Sequence, residues 1–127
     1  MPEILIIEDS PPIRAIYTLL LRDWGYRVSS AASTCDVIGL IRSGYRPDAI
    51  VADYNLGGGD TGMTAIGTAE ELLGRSIPAV MITAEEALPD VQLPILRKPV
   101  AHDRFKEVVE RLLGTDPASL PQGLQTS

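Results

Sequence analysis

Basic side chains are scarce and dispersed in this chain of 127 residues, where 11 Lys and Arg stand against 17 Asp and Glu for a net charge of −6. Binding a nucleic-acid backbone needs clustered cations, so no direct nucleic-acid contact is expected. Cysteine is nearly absent. A lone Cys35 cannot close an internal disulfide, which points to a reducing, cytoplasmic setting. No apolar run approaches the length that spans a bilayer, and no basic stretch followed by a long apolar segment marks a signal peptide, so no membrane insertion is expected. The single histidine, His102, falls in a helical pattern where a solvated surface position is expected rather than a ligand. What remains is a chain that is 45% hydrophobic, of a length suited to one domain with a real core.

Short apolar runs carry the organisation. Ile4-Leu5-Ile6-Ile7 runs into Glu8-Asp9, Ala49-Ile50-Val51-Ala52 into Asp53, Ala79-Val80-Met81-Ile82 into Thr83, and Pro94-Ile95-Leu96 through Arg97 into Lys98-Pro99. Helical patterns separate most of these runs, so they read as parallel strands, and Tyr26–Ala32 reads as a less apolar edge strand. Such a sheet opens all its carboxyl-terminal strand ends on one edge, where ligands bind at the switch in strand order. Three carboxylates, a hydroxyl and an ammonium then meet in one cleft.

The helices are punctuated by their own residues. Ser10-Pro11-Pro12 suits a helix start, Ile13, Ile16, Tyr17, Leu20 and Trp24 form its buried stripe, and Gly25 ends it. Ser33 or Thr34 caps a second helix with Val37, Ile38 and Ile41 inward. A third runs from about Met63 to Leu73 with Ile66, Ala69 and Leu73 inward, and a last helix presents Phe105, Val108, Val109 and Leu112. Trp24 and Phe105 are expected in the core. The crossover Ala84–Leu93 is too short for a full helix, and Pro89 limits it to about one turn. The Gly-rich loop Tyr54–Gly62 matches no nucleotide fingerprint and is expected to be mobile. The domain is placed at residues 1–113, with a loose tail at 114–127.

The order Glu8-Asp9, Asp53, Thr83, Lys98-Pro99 at successive strand ends resembles the receiver domain of bacterial response regulators, the phosphoacceptor half of two-component signalling. The resemblance covers roughly Glu3 to Leu113. It implies a flavodoxin-like α/β three-layer sandwich with a five-stranded parallel sheet in the order 2-1-3-4-5, the fourth helix being shortened or absent. It also implies phosphorylation of Asp53 by a phosphohistidine on a histidine kinase or histidine phosphotransfer protein. Mg²⁺ would be held by Glu8 through water, by Asp9 and Asp53, and by the backbone carbonyl of Asn55. Lys98 would contact the phosphoryl group, Thr83 would swing to it, and Pro99 would follow a cis bond. Asn55 and Glu85 would tune phosphate lifetime, with only self-phosphorylation and self-dephosphorylation as activity. The charge physics agrees: unit charges about 4 Å apart repel by roughly 4 kcal/mol in an effective dielectric near 20, so three carboxylates must protonate or bind a cation. Mg²⁺ is a hard ion that suits oxygen ligands.

Two features depart from the family pattern or extend it. Many receivers carry an aromatic residue three before the lysine, where this chain has Ile95, so half of the usual switch is missing. That leaves a phosphorylation-independent pseudo-receiver as the alternative, with the output partner and any homodimer open. Asp53-Tyr54-Asn55-Leu56 followed by Gly59-Asp60-Thr61-Gly62 is similar to receivers fused to hybrid histidine kinases. A metal-dependent phosphohydrolase would want an acid two residues after the nucleophile, where Asn55 stands.

Overall fold

Strand and helix alternate along the chain as the patterning requires. β1 (Glu3–Ile7) leads through α1 (Pro11–Asp23) to β2 (Arg27–Ala31), α2 (Thr34–Arg42) and β3 (Ala49–Asp53). A short hairpin of β4 (Asn55–Gly57) and β5 (Asp60–Thr61) precedes α3 (Gly62–Leu73), β6 (Ala79–Thr83), β7 (Ile95–Arg97) and α4 (His102–Leu112). The computed structural model describes residues 2–85 and 92–114. The main sheet is parallel in the order β2-β1-β3-β6-β7. This is the expected 2-1-3-4-5 order once the separate hairpin is set aside. Of the turn expected from Ala84 to Leu88 only Ala84 and Glu85 are described, and the tail expected at 114–127 lies outside the described residues beyond Gly114.

Side chains alternate across the strands, and that period of two sorts the core into two layers. Leu5, Ile7, Ile50, Ala52 and Met81 pack with Val37 and Ile41 of α2 and with Ala65, Ile66 and Ala69 of α3. Ile4, Ile6, Val51, Val80 and Ile82 pack on the other face with Tyr17 and Leu21 of α1 and with Phe105, Val108 and Val109 of α4. β3 and β6 are buried throughout, which is why they read as unbroken apolar runs. β2, at the sheet edge, buries only Ala31 fully, and its other four residues are exposed or half-buried. Phe105 is fully buried and meets Tyr17 and the half-buried Trp24 edge-to-face, each pair with ring centroids 5.4 Å apart. His102 is exposed, as expected.

Two sequence expectations need correction. Ile16 does not join the buried stripe of α1; it is 50% exposed, and Leu21 is buried in its place. Tyr17 and Leu21 lie four residues apart on one face, and a residue immediately before Tyr17 is turned about 100° off that face. The Gly-rich loop is also more structured than expected. Gly57, Gly58 and Gly59 all adopt positive φ (84°, 58° and 86°), so the glycines serve a tight reversal between β4 and β5. Leu56 anchors the hairpin by burying its side chain in the α2–α3 layer.

Candidate functional site

Each functional side chain sits where a strand gives way to a turn. Glu8 follows β1 and is buried; its N–H donates to the Ala31 carbonyl at 3.0 Å, so its backbone still belongs to the sheet. Asp53 is the last residue of β3 and is 8% exposed. Thr83 ends β6 and is buried, and Lys98 follows β7 across a cis peptide bond to Pro99. Parallel pairing brings these ends side by side, and the Lys98 N–H donates to the Thr83 carbonyl at 2.9 Å.

The side chains converge as the strand ends do. Lys98 Nζ lies 3.4 Å from Asp53 Oδ1 and 3.8 Å from Glu8 Oε1. Glu8, Asp9 and Asp53 each offer a carboxylate oxygen, and these oxygens all lie within 4.8 Å of one another. Asp9 is exposed, whereas its two companions are buried. Together with Asn55, Thr83, Glu85 and Lys98, Asp9 and Asp53 line an open cleft of about 330 Å³. The structure therefore brings together every site residue expected from the sequence, with Pro99 directly beside Lys98.

Burial dominates the electrostatics. It pushes the Glu8 carboxyl up to about 7, against the Ser10 N–H that donates to Oε2 at 3.1 Å; the neighbouring Asp53 charge pushes the same way as burial. Burial also raises Asp53, opposed by the Lys98 ammonium and its hydrogen bond. Glu8 Oε1 is buried with no hydrogen-bond partner. A carboxylate oxygen with no hydrogen bond, two further carboxylates close by and Lys98 as the one ammonium paired with them among the described residues make a donor set that fits a hard divalent ion. The Thr83 hydroxyl accepts the Glu85 N–H at 2.9 Å, and its own proton is left to donate elsewhere.

Several residues that shape the site were not singled out from the sequence. Arg14 Nη1 donates to the Glu8 carbonyl at 2.8 Å and so pins the β1–α1 turn. Gly62 packs directly behind the site: a Cβ there would stand 2.4 Å from the Asp53 carbonyl oxygen and 3.0 Å from Met81 Sδ. A Cβ on Gly57 would come within 3.3 Å of Asp9 Oδ2, so the hairpin lies against the carboxylates. Asn55 turns its side-chain oxygen to the Gly57 N–H at 3.0 Å, a local turn bond. Asn55 was expected at the site, whereas Gly57 and Gly62 stood in the sequence only as parts of a glycine-rich loop with no contact assigned to them.

The comparisons agree with this geometry. The family model described as response regulator receiver domain matches residues 4–110, and the chain belongs to that family. It is 32% identical over 120 residues to the transcriptional regulatory protein ZraR of Salmonella typhimurium, covering 87% of this chain and 26% of that protein. It is 47% identical over 60 residues to the transcriptional regulatory protein AfsQ1 of Streptomyces coelicolor, covering 47% of this chain and 26% of that protein. The chain thus spans about a quarter of the length of these curated relatives. Among solved structures, the receiver domain of the hybrid histidine kinase CckA is 28% identical with a TM-score of 0.73, covering 87% of this chain and 98% of that one. The N-terminal domain of a response regulator/sensory box/GGDEF protein from Carboxydothermus hydrogenoformans shares the fold with a TM-score of 0.79 at 24% identity, over 93% of this chain and 98% of that one.

Proposed function

We propose that Asp53 accepts a phosphoryl group from the phosphohistidine of a histidine kinase or histidine phosphotransfer protein, and that Mg²⁺ is required. The observation that carries this reading is the placement of Lys98 Nζ 3.4 Å from Asp53 Oδ1 in a cleft shared with Glu8 and Asp9. An Asp53 carboxylate oxygen forms the new O–P bond as the P–N bond to the imidazole breaks, and the departing imidazole nitrogen takes up a proton. Lys98 neutralises charge on the transferring group, and the Thr83 hydroxyl has a proton free to donate to a phosphoryl oxygen. Glu8, Asp9, Asp53 and the Asn55 carbonyl are the residues that would hold the ion. When bound, it supplies positive charge that lowers repulsion between the carboxylates and the incoming anion. Asn55 and Glu85 line the cleft and suit a role in setting phosphate lifetime through water access.

The chain acts in this reading as a phosphoacceptor with self-phosphorylation and self-dephosphorylation, not as an enzyme with an external substrate. It works in the cytoplasm, either switching an output partner or relaying phosphate, by shifting a pre-existing equilibrium. The pseudo-receiver alternative draws on Ile95, half-buried on β7 where many receivers place an aromatic residue. Incubation with acetyl phosphate and Mg²⁺ followed by intact-mass measurement separates the two. One phosphoryl adduct that is lost in Asp53→Ala and in chelator is expected. No adduct on the wild type, or one that survives Asp53→Ala, favours the pseudo-receiver.

A further inference from the structure

Asp60 lies at the far strand of the hairpin, outside the cleft, yet it gathers more hydrogen bonds than its half-exposed position requires. Its Oδ2 accepts the Thr34 N–H at 2.9 Å, and its Oδ1 accepts the Thr34 hydroxyl at 2.7 Å and the Thr61 N–H at 3.0 Å. Thr34 opens α2, where the first backbone N–H groups have no partner inside the helix. Ser33 takes the Asp36 N–H at 3.2 Å, and Asp36 in turn takes the Ala32 N–H at 3.0 Å. The Thr34 donor is thus served by a segment 26 residues further along the chain.

The hairpin needs such an anchor. Its ladder holds only two pairs, Asn55 with Thr61 and Gly57 with Asp60, broken by an irregularity between them. A two-stranded ribbon of that size is marginal by itself. Leu56 fixes it to the core, the Gly62 N–H fixes its exit by donating to the Tyr54 carbonyl at 2.8 Å, and Asp60 fixes its outer strand to α2. The inner strand carries Asn55 into the cleft and Gly57 against Asp9. The outer strand is therefore linked to the carboxylate cluster through the inner one.

We propose that the Asp60–Thr34 clamp positions the Asn55–Gly57 strand against the acidic cleft, so that the first turn of α2 helps set the affinity of the site for a divalent cation. Both are positioning residues, since neither touches Asp53 or Lys98. This inference rests on the cation-binding reading of the site given above.

Calorimetric titration of the full chain with MgCl₂ alone, without phosphodonor, tests it. Thr34→Val removes the hydroxyl donor but keeps the N–H bond and the net charge, so it isolates geometry from long-range electrostatics. It should weaken Mg²⁺ binding severalfold, less than the roughly tenfold or more lost when a ligand's own hydrogen-bond partner is removed. Thr34→Ser should bind as the wild type does, and Asp60→Asn combined with Thr34→Val should lose less than the two single losses multiplied together. Amide exchange at Gly57 should quicken in Thr34→Val. Unchanged Mg²⁺ affinity in a folded Thr34→Val protein, even with a lowered Tm, overturns the clamp as a positioning device and leaves a purely structural bond. A wild type that takes up no Mg²⁺ overturns both this inference and the cation-binding reading beneath it.

Discussion

The two ends of the parallel sheet bury polar groups on opposite terms. At the amino-terminal end Glu3 keeps partial contact with water, sits 3.8 Å from Arg27, and its N–H donates to Asp48 at 2.8 Å. Tyr45 buries a hydroxyl there that finds no hydrogen-bond partner among the described residues; a phenol is neutral near pH 7 in any case, and burial pushes it further up. At the carboxyl-terminal end Glu8 and Asp53 are buried as ionisable carboxyls facing one shared ammonium. A neutral group left unpaired is a modest loss, whereas a half-compensated charge is a large one. One end of the sheet is therefore settled as it stands, and the other holds an electrostatic conflict that binding can relieve.

Crowding the strained end should have the largest effect. Gly62→Ala places a methyl group against the Asp53 carbonyl, at a position whose neighbours are backbone and core, and should destabilise by about 1–3 kcal/mol or more in denaturant titration. Tolerance of alanine there would mean that β3 and α3 are less closely locked than described. Relieving the conflict comes next. In chelator at pH 8, Glu8→Gln removes a buried carboxylate held up to about 7 and should raise stability by roughly 1–2 kcal/mol while weakening Mg²⁺ binding. A fall in stability would show that the Lys98 pairing outweighs the conflict.

The clamp on the hairpin gives a smaller effect with a defined pH sign. Burial tends to raise the Asp60 carboxyl, but the Thr34 and Thr61 hydrogen bonds overcome it and hold the group below its ordinary value of 3.8. A depressed folded value means that the group stabilises above 3.8 and that this contribution fades as pH falls through the lower folded value. The Tm gap between wild type and Asp60→Asn should thus be steady from about pH 7 to 5 and close in stronger acid. A gap that widens in acid contradicts the assignment. Glu3→Gln, at the settled end, should shift stability by less than about 0.5 kcal/mol, as for exposed ion pairs generally. A loss comparable to that of Gly62→Ala would erase the contrast between the two ends.

The legibility of this molecule follows the range of its interactions. Strand cores such as Ile50–Val51 and the α4 stripe were visible because burial on a regular element leaves a local period. The strand ends Glu8, Asp53, Thr83 and Lys98 were visible because each polar residue interrupts an apolar run, and their neighbourhood follows from strand order, which the family resemblance supplied. The displacement of Ile16 by Leu21 was not legible, since Ile13, Tyr17 and Leu20 fit a stripe that either residue could flank. The hairpin was hidden because three adjacent glycines can serve disorder or a reversal equally well. Its anchors were hidden for a deeper reason: nothing in the local pattern around Thr34 or Leu56 tells which distant segment will claim them.

The backbone hydrogen bond between the Thr83 and Lys98 strand ends carries one more lesson. Because the Lys98 N–H grips the Thr83 carbonyl, the ammonium and the hydroxyl are mounted on a single crossbar that spans the last two strands. Tugging Pro99 from outside would drag the Thr83 backbone along with it. With the Tyr54 N–H donating to the Ile82 carbonyl at 2.9 Å, main chain alone ties the Asp53 end of the sheet to its far margin.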